Sequence, residues 1–515
     1  MNNYILDNQI IIDFLTPRFD EFKNSENLFI CLKRKHWNNV FVASSQIDNL
    51  LYVLFREKKR NRFDINLNYC FSLLREFINL IDIVKTPSYI DFENNLCSND
   101  IEDYLIELSA KTISNTKIIT RDKKFLKNSN LTISIEQFFE IEKEAITKVD
   151  FVDLKVQYIS IHQEIDKNID EVIKNTAFIG GKALKDFNQN FADFIGTKYA
   201  IGVGNGTDAL EIALKVLEVE AGDEVIVPAN SFIATSEAVK NNGGKVVFVD
   251  CLDEYYSIDV SKIEAKITSK TKVIIPVHFY GQPADMNPII KIAKKYNLKI
   301  LEDAAQAHGA VYKGRNIGTM GDIAAFSFFP SKNLGAFGDA GAIVTNDDIL
   351  AKKCKMLAKH GGINKYNHKF EGRNSRLDGI QAAILNAKLI HLPKWNEARR
   401  RIAELYEKGL SQLNEIVLPK QIDETISVFH LFVIQIYERN QLATYLKENG
   451  ISTGIHYPIG LPYQEAYKYL NHTKEDFPIT YKNQDKILSL PIYPEMTDEM
   501  VCYVVEKIKE FYGRK

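Results

Sequence analysis

Cysteine is scarce in this chain: six in 515 residues, at Cys31, Cys70, Cys97, Cys251, Cys354 and Cys502, with no CxxC spacing among them. That scatter argues against a zinc ribbon and a disulfide framework, and reduced, cytoplasmic surroundings are the expectation. Long apolar runs are missing as well. The N-terminal run Ile10 to Leu15 is short and carries Asp13, so neither a signal peptide nor a membrane partner is expected. Neither sign of charge dominates: 65 Lys and Arg against 67 Asp and Glu leave a formal net charge of -2. Nothing global therefore points to nucleic acid. With 45% hydrophobic and 26% charged residues the composition is that of a globular protein, and the length exceeds one ordinary domain.

What is present, in one ordered set, is an acid, an amide, a serine and a lysine between Leu301 and Ala342: LEDAAQAHGAVYKGRNIGTMGDIAAFSFFPSKNLGAFGDAGA. Asp303 follows the apolar residues Leu298, Ile300 and Leu301. It reads as the end of a buried strand, where open α/β sheets carry their functional groups. Lys332 follows the run Ile323 to Phe329 and is bracketed by Pro330 and several glycines, so it is expected on a loop. As a lone pair these two would be a helix cap and a solvated lysine. In this order they suit pyridoxal phosphate, which needs an amine for its aldehyde and a carboxylate for its ring nitrogen.

A phosphate cradle is expected upstream. Residues 200 to 217, AIGVGNGTDALEIALKVL, read as a strand, a turn with Gly202, Gly204 and Gly206, and a helix with Leu210, Ala213, Leu214 and Leu217 on one face. Glycines let backbone N–H groups approach an anion, and the helix start adds its dipole. The third glycine of a dinucleotide fingerprint and the Gly-Lys-Ser/Thr of a Walker loop are both lacking.

From about residue 149 to the C-terminus the chain resembles the sugar aminotransferases of the DegT/DnrJ/EryC1/StrS family, which are fold-type-I pyridoxal-phosphate enzymes. The resemblance runs through FVDLKVQY, NGTDALEIAL, VPANSFIAT, PVHFYGQPADM, EDAAQAHGA, FSFFPSKNLGAFGDAGA, NSRLDGIQAA and HYP. It implies an α/β architecture with a large mixed-sheet cofactor domain over 149–394 and a small C-terminal domain over 395–515. It implies that Lys332 bonds the cofactor and then moves the proton, that Asp303 pairs with the ring nitrogen and that Gln306 meets the phenolic oxygen. Gly206, Thr207 and Ser327 would hold the phosphate and Phe232 would lie on the ring face. Asn374 would reach the phosphate of a neighbouring subunit, making a homodimer with shared active sites.

The same resemblance implies a nucleotide-linked keto sugar as substrate and glutamate as amino donor. FVDLKVQY, FIGG, GNGTDAL and HFYGQPADM look most like the enzymes that aminate C3 of dTDP-3-keto-6-deoxyhexoses for glycan biosynthesis. Amination at C4, or of another nucleotide sugar, is the alternative. His360, His456 and Tyr457 match loops that meet the sugar in relatives. Ser331 and Ala340 replace glycines common in the family, and both are small. Relatives with histidine in place of the lysine dehydrate or reduce instead, so Lys332 keeps transamination the expected chemistry.

Residues 1–148 exceed what such an enzyme needs, and the junction Glu140 to Lys148 is a charged run with neither Pro nor Gly. Tyr4 to Leu6 and Ile118 to Thr120 read as strands ending near Asp7 and Asp122. Asp100 and Asp103 precede the helix-like run Tyr104 to Ala110 and share one face. Through YILDNQIIIDFL, SNDIEDYLIELSAKT and KIITRDKKFL this part resembles a PIN-like α/β domain. That resemblance implies a Mg2+ or Mn2+ site at Asp7, Asp100, Asp103 and Asp122, with RNA as a partner. Two departures weaken the nuclease reading: Asp48 and Asn49 stand where a catalytic glutamate is expected, and the opening reads Asp7-Asn8-Gln9. Lys33 to His36 and Arg56 to Arg62 are locally basic, either a solvated face or an RNA-facing rim. The rival view of the whole chain is a PIN-led RNA-processing or RNA-binding protein that uses the aminotransferase part as a dimeric scaffold.

Overall fold

The computed structural model describes residues 147–364 and 366–513, together with 3–6, 11, 40–43, 82–84, 106, 110, 116–120, 126–127, 131–135 and 137. The chain divides into two compact units, Met1–Ile146 and Thr147–Lys515. Among the described residues no helix is long and apolar enough to cross a membrane.

Among the described residues, the first unit holds five strands, β1 (Asn3–Leu6), β2 (Val40–Ala43), β3 (Asp82–Val84), β4 (Thr116–Ile119) and β5 (Thr132–Ile133). They form one sheet in the order β3-β2-β1-β4-β5, and every pairing is parallel. Ile5 and Ile118 pack with Ile106 and Ala110 in its core. Asp7, Asp48, Asn49, Asp100, Asp103, Asp122 and both basic runs lie outside the described residues.

The second unit opens with helices α1 (Leu154–Lys174) and α2 (Gly181–Ile195), then β6 (Tyr199–Val203) and α3 (Gly206–Val216). After these come β7 (Glu224–Pro228), α4 (Ile233–Asn241), β8 (Lys245–Val249), β9 (Thr271–Ile274), α5 (Met286–Tyr296) and β10 (Lys299–Asp303). The short strands β11 (Val311–Tyr312) and β12 (Arg315–Asn316) precede β13 (Ile323–Ser327) and β14 (Gly341–Thr345). Seven of these strands make a sheet in the order β6-β14-β13-β10-β9-β7-β8, in which β14 alone runs antiparallel to its neighbours.

Both faces of this sheet are covered, and the strands show it at period two. In β13, Ala324 and Phe326 join one core while Ile323 and Ala325 join the other; Ile226 is likewise divided from Val225 and Val227 in β7. One layer is built on α2, whose Phe191 meets Phe326 and Phe328 edge-on at 5.1 Å between ring centroids. The other rests on α3 and α6 (Asp348–Leu357). Beyond the sheet follow α7 (Gly379–Leu389) and α8 (Leu392–Leu410), the latter with Trp395 in its first turn. An antiparallel pair, Phe432–Gln435 with Ile487–Leu490, packs with α9 (Arg439–Glu448) and α10 (Asp498–Phe511).

Glu302 fixes the end of β10. It is fully buried; Oε1 accepts from the N–H groups of Met320 (2.8 Å) and Gly321 (2.6 Å), and Oε2 from Gly318 N–H (2.9 Å) and His278 Nε2 (3.1 Å). Because His278 Nδ1 accepts from Ala284 N–H at 3.1 Å, its proton must sit on Nε2. Burial alone would raise the Glu302 carboxyl, but His278 and the backbone donors outweigh it and hold it below 4.5. Glu302→Ala should therefore cost about 3 kcal/mol in urea unfolding near neutral pH, by stranding buried donors. Since the folded value is depressed, this contribution is present above the ordinary carboxylate range and lost as pH falls through the folded value. The gap between wild type and variant should accordingly shrink in acid.

Candidate active site

The functional side chains gather at the carboxyl edge of the parallel strands, as open α/β sheets dictate. β10 ends in Asp303, which is buried. Thr235, in the first turn of α4, donates to Asp303 Oδ2 at 2.7 Å, and Ala305 N–H reaches Oδ1 at 3.2 Å. With the Thr235 hydroxyl so committed, Ser231 Oγ, 2.8 Å away, donates to it in turn. Burial raises the Asp303 carboxyl, opposed by these donors and by the charge of Lys332. A half-satisfied carboxylate of this kind gains most from a cationic ring N–H.

Residues 304–308 form a turn and not a helix, and they carry Gln306 back to the site, where its Oε1 accepts Tyr280 N–H at 2.7 Å. The Tyr457 phenol is pushed up, chiefly by burial and then by Asp303. Its ring stands 5.5 Å from Phe232 and 6.1 Å from Phe279. His456 stacks on Phe151 at 5.6 Å, and its Nδ1 lies 2.8 Å from Ser489 Oγ.

Lys332 lies on the loop between β13 and β14, and its N–H bonds Phe329 O at 2.8 Å. Desolvation pulls its amine down to about 8, with Asp303 opposing. Three imidazoles surround it electrostatically. Burial, then the Lys332 charge, lowers His308 to about 3 and His456 to about 4, and the same two causes carry His430 well below its usual value. All three are neutral at working pH. Another lysine, the buried Lys388 on α7, donates to Gln157 Oε1 (3.0 Å) and to Gly335 O in the Lys332 loop (2.8 Å); burial lowers it to about 8 as well.

The anion end is built from backbone. Asn205 caps α3 by accepting Asp208 N–H at 2.8 Å, and the first helical bond runs from Ala209 N–H to Asn205 O at 3.1 Å. Gly206 and Thr207 precede that bond, so their N–H groups sit at the positive end of the helix. A Cβ on Gly206 would come within 2.6 Å of Ser327 Cβ, and one on Gly341 within 2.4 Å of the Asn205 carbonyl. The glycines thus let β13, β14 and the helix start close round one point.

Asp303, Gln306, Lys332, Phe232, His456 and Tyr457 therefore share one cluster, with Gly206, Thr207 and Ser327 at its anion end. His360 and Asn374 are both exposed, on segments joined by a Lys359–Asn374 bridge. Arg373 ties that segment to α3 through Asp208 Oδ1 (2.6 Å) and Glu211, and Ser375 Oγ accepts Gly204 N–H at 3.0 Å. Thr235, His308, His430 and Arg373 escaped the sequence reading. Thr235 ends the motif NSFIAT, whereas His430 sits in the apolar run SVFHLFVI, where a histidine reads as core.

A lowered lysine, a buried carboxylate and an anion-binding helix start on a seven-strand mixed sheet fit pyridoxal phosphate and define a fold-type-I enzyme of that cofactor. The chain belongs to the DegT/DnrJ/EryC1/StrS aminotransferase family, whose sequence pattern matches residues 159–509. It is 45% identical over 363 residues (70% of this chain, 99% of the relative) to the dTDP-3-amino-3,6-dideoxy-alpha-D-galactopyranose transaminase of Aneurinibacillus thermoaerophilus. To a UDP-N-acetyl-3-dehydro-alpha-D-glucosamine 3-aminotransferase of Acidithiobacillus ferrooxidans it is 41% identical, covering 70% of this chain and 98% of that one. Among solved structures, S. venezuelae DesV in complex with a ketimine intermediate superposes with a TM-score of 0.70 at 40% identity, over 72% of this chain and 99% of that one. NtdA of Bacillus subtilis, with bound cofactor PMP, gives 0.64 at 35% identity, over 70% of this chain and 86% of that one.

The close approach at the anion end gives a direct test. Gly206→Val should weaken cofactor binding about tenfold or more, roughly 1.4 kcal/mol, in a titration followed by visible absorbance. Circular dichroism should stay that of the wild type.

Proposed function

We infer that this chain aminates C3 of a dTDP-linked 3-keto-6-deoxyhexose with glutamate as donor, as one case of the nucleotide-sugar transamination its family performs. The observation that carries the chemistry is Lys332, an amine lowered to about 8 at the edge of the sheet that ends in Asp303. The choice of C3 and of the dTDP carrier rests on the 45% identity to a transaminase named for a dTDP-3-amino sugar. The relative named for a UDP sugar, 41% identical, supports the other nucleotide carrier with the same C3 position.

When bound, pyridoxal phosphate supplies an electron sink that lets the carbon bearing nitrogen lose or gain a proton. The rest falls to the protein. As a carboxylate, Asp303 would keep the ring nitrogen protonated, and Gln306 would donate to the phenolic oxygen. Gly206 and Thr207 N–H groups with the Ser327 hydroxyl would bind the phosphate, and Phe232 would lie against the ring. Lys332, lowered to about 8, would hold and move the proton of the reacting carbon as its base. His456 and Tyr457 face the same space and meet the sugar. Asn374, exposed on the segment that Arg373 and Ser375 hold beside α3, would reach the phosphate in the site of a second subunit, with a homodimer as the working form, and His360 would meet the sugar.

For residues 1–148 we propose a PIN-like domain, a reading supported by the all-parallel sheet with β1 at its centre. Manganese-dependent RNA cleavage lost in Asp7→Asn and Asp122→Asn is the expected result. Cleavage unchanged in both would remove the metal site.

Incubating the full chain with glutamate and a panel of dTDP-, UDP- and GDP-linked keto sugars, read by mass and NMR, should yield the 3-amino dTDP sugar fastest. Amination at C4, or faster turnover of a UDP sugar, would overturn the assignment. Lys332→Ala should lose at least about a thousandfold in rate.

A further inference from the structure

Asn333, next to Lys332, is buried and its amide is fully committed. Nδ2 donates to Val428 O at 2.9 Å and to Asn396 Oδ1 at 3.0 Å. A backbone carbonyl only accepts, so Val428 fixes which end of the amide is nitrogen, and Oδ1 is left as an acceptor. His430 Nδ1, 3.2 Å from that oxygen, must then be the donor. The imidazole is locked as the Nδ1–H tautomer.

The same bonds continue inward. Asn396 Nδ2, from α8, donates to His308 O at 2.8 Å, and His308 Nε2 donates to Ser327 O at 2.9 Å. One turn along α8, Arg399 reaches the carbonyls of Ile492 (2.8 Å), Phe429 (3.3 Å) and His430 (3.4 Å). One buried polar network thus ties the turn after Asp303, the end of β13 and the Lys332 loop to the segment 428–430. Of the titratable groups facing His430, the cations are Lys332 and Arg399, of which Lys332 acts more strongly; His456 and His308, also facing it, are neutral. The transamination steps use none of Asn333, Asn396, Arg399 or His430.

We propose that Asn333 and His430 are positioning residues for Lys332: the hydrogen bond from His430 Nδ1–H to Asn333 Oδ1 holds the lysine-bearing turn and so sets where the amine points. This rests on the reading of Lys332 as the cofactor lysine. A neutral donor is required there, because a second acceptor facing Asn333 Oδ1 would turn the amide and release Val428 and Asn396 together.

Lys332 is a free amine in the full chain loaded with pyridoxamine phosphate. Trace acetylation across pH, read by peptide mass, reports its protonation without turnover. In wild type the midpoint should lie below the ordinary lysine value. His430→Leu should move it by about half a pH unit or more and lower kcat roughly tenfold or more, with KM for the keto sugar unchanged. His430→Asn, which keeps an N–H at the Nδ1 position, should recover most of both. Wild-type behaviour of His430→Leu, or equal damage in His430→Asn, would overturn the proposal. Should His430→Leu fail to fold, Asn333→Asp serves: a carboxylate there should raise the Lys332 midpoint by about one unit, and an unmoved midpoint sinks the idea. A wild-type Lys332 that acetylates with the ordinary lysine midpoint of 10.5 would instead strike at the cofactor assignment itself.

Discussion

Desolvation of two opposite ionisable groups at one sheet edge is the constraint on which this site depends. Burial pushes Asp303 up and pulls Lys332 down, and each opposes the other's shift through its charge. Such a pair costs stability unless its surroundings satisfy it. Thr235 and the Ala305 N–H partly satisfy Asp303, while around Lys332 burial keeps His308, His430 and His456 neutral. A charged imidazole there would repel the ammonium and leave Asp303 to the lysine alone.

The scaffold serves that pair. Glu302, one residue before Asp303, spends its carboxylate on three backbone N–H groups and His278, pinning β10 and the loop before β13 in one place. Gly206 and Gly341 allow the helix start to approach Ser327 and β14 at distances no side chain would permit. The Lys332 loop is braced by Lys388 at Gly335 and by Asn333 from within. Rigid supports on several sides suit a lysine that must both bond a cofactor and move a proton.

Much of this was legible in the residues. An apolar run ending in Asp303, a second before Lys332 and the strand–turn–helix of 200–217 are local patterns, and each appears as an element within a residue or so of the expected place. Less legible were groups whose role depends on distant partners. Thr235 acquires its role from Asp303, 68 positions away, and His430 from Asn333, 97 positions away, so no spacing rule could mark them. Gln306 reaches the site through a turn at residues 304–308, in which Ala305 N–H bonds the Asp303 carboxylate. His360 and Asn374 are both exposed, and Arg373 and Ser375 hold the Asn374 segment beside α3.

Among the described residues two lysines, half-buried Lys332 and buried Lys388, are both lowered to about 8, so a reactive amine alone does not distinguish them. Only Lys332 shares its surroundings with Asp303. Borohydride reduction of the cofactor-loaded full chain, followed by peptide mapping, tests this most directly. The cofactor mass should be found on the peptide carrying Lys332 alone; its recovery on Lys388 or any other lysine would contradict the account.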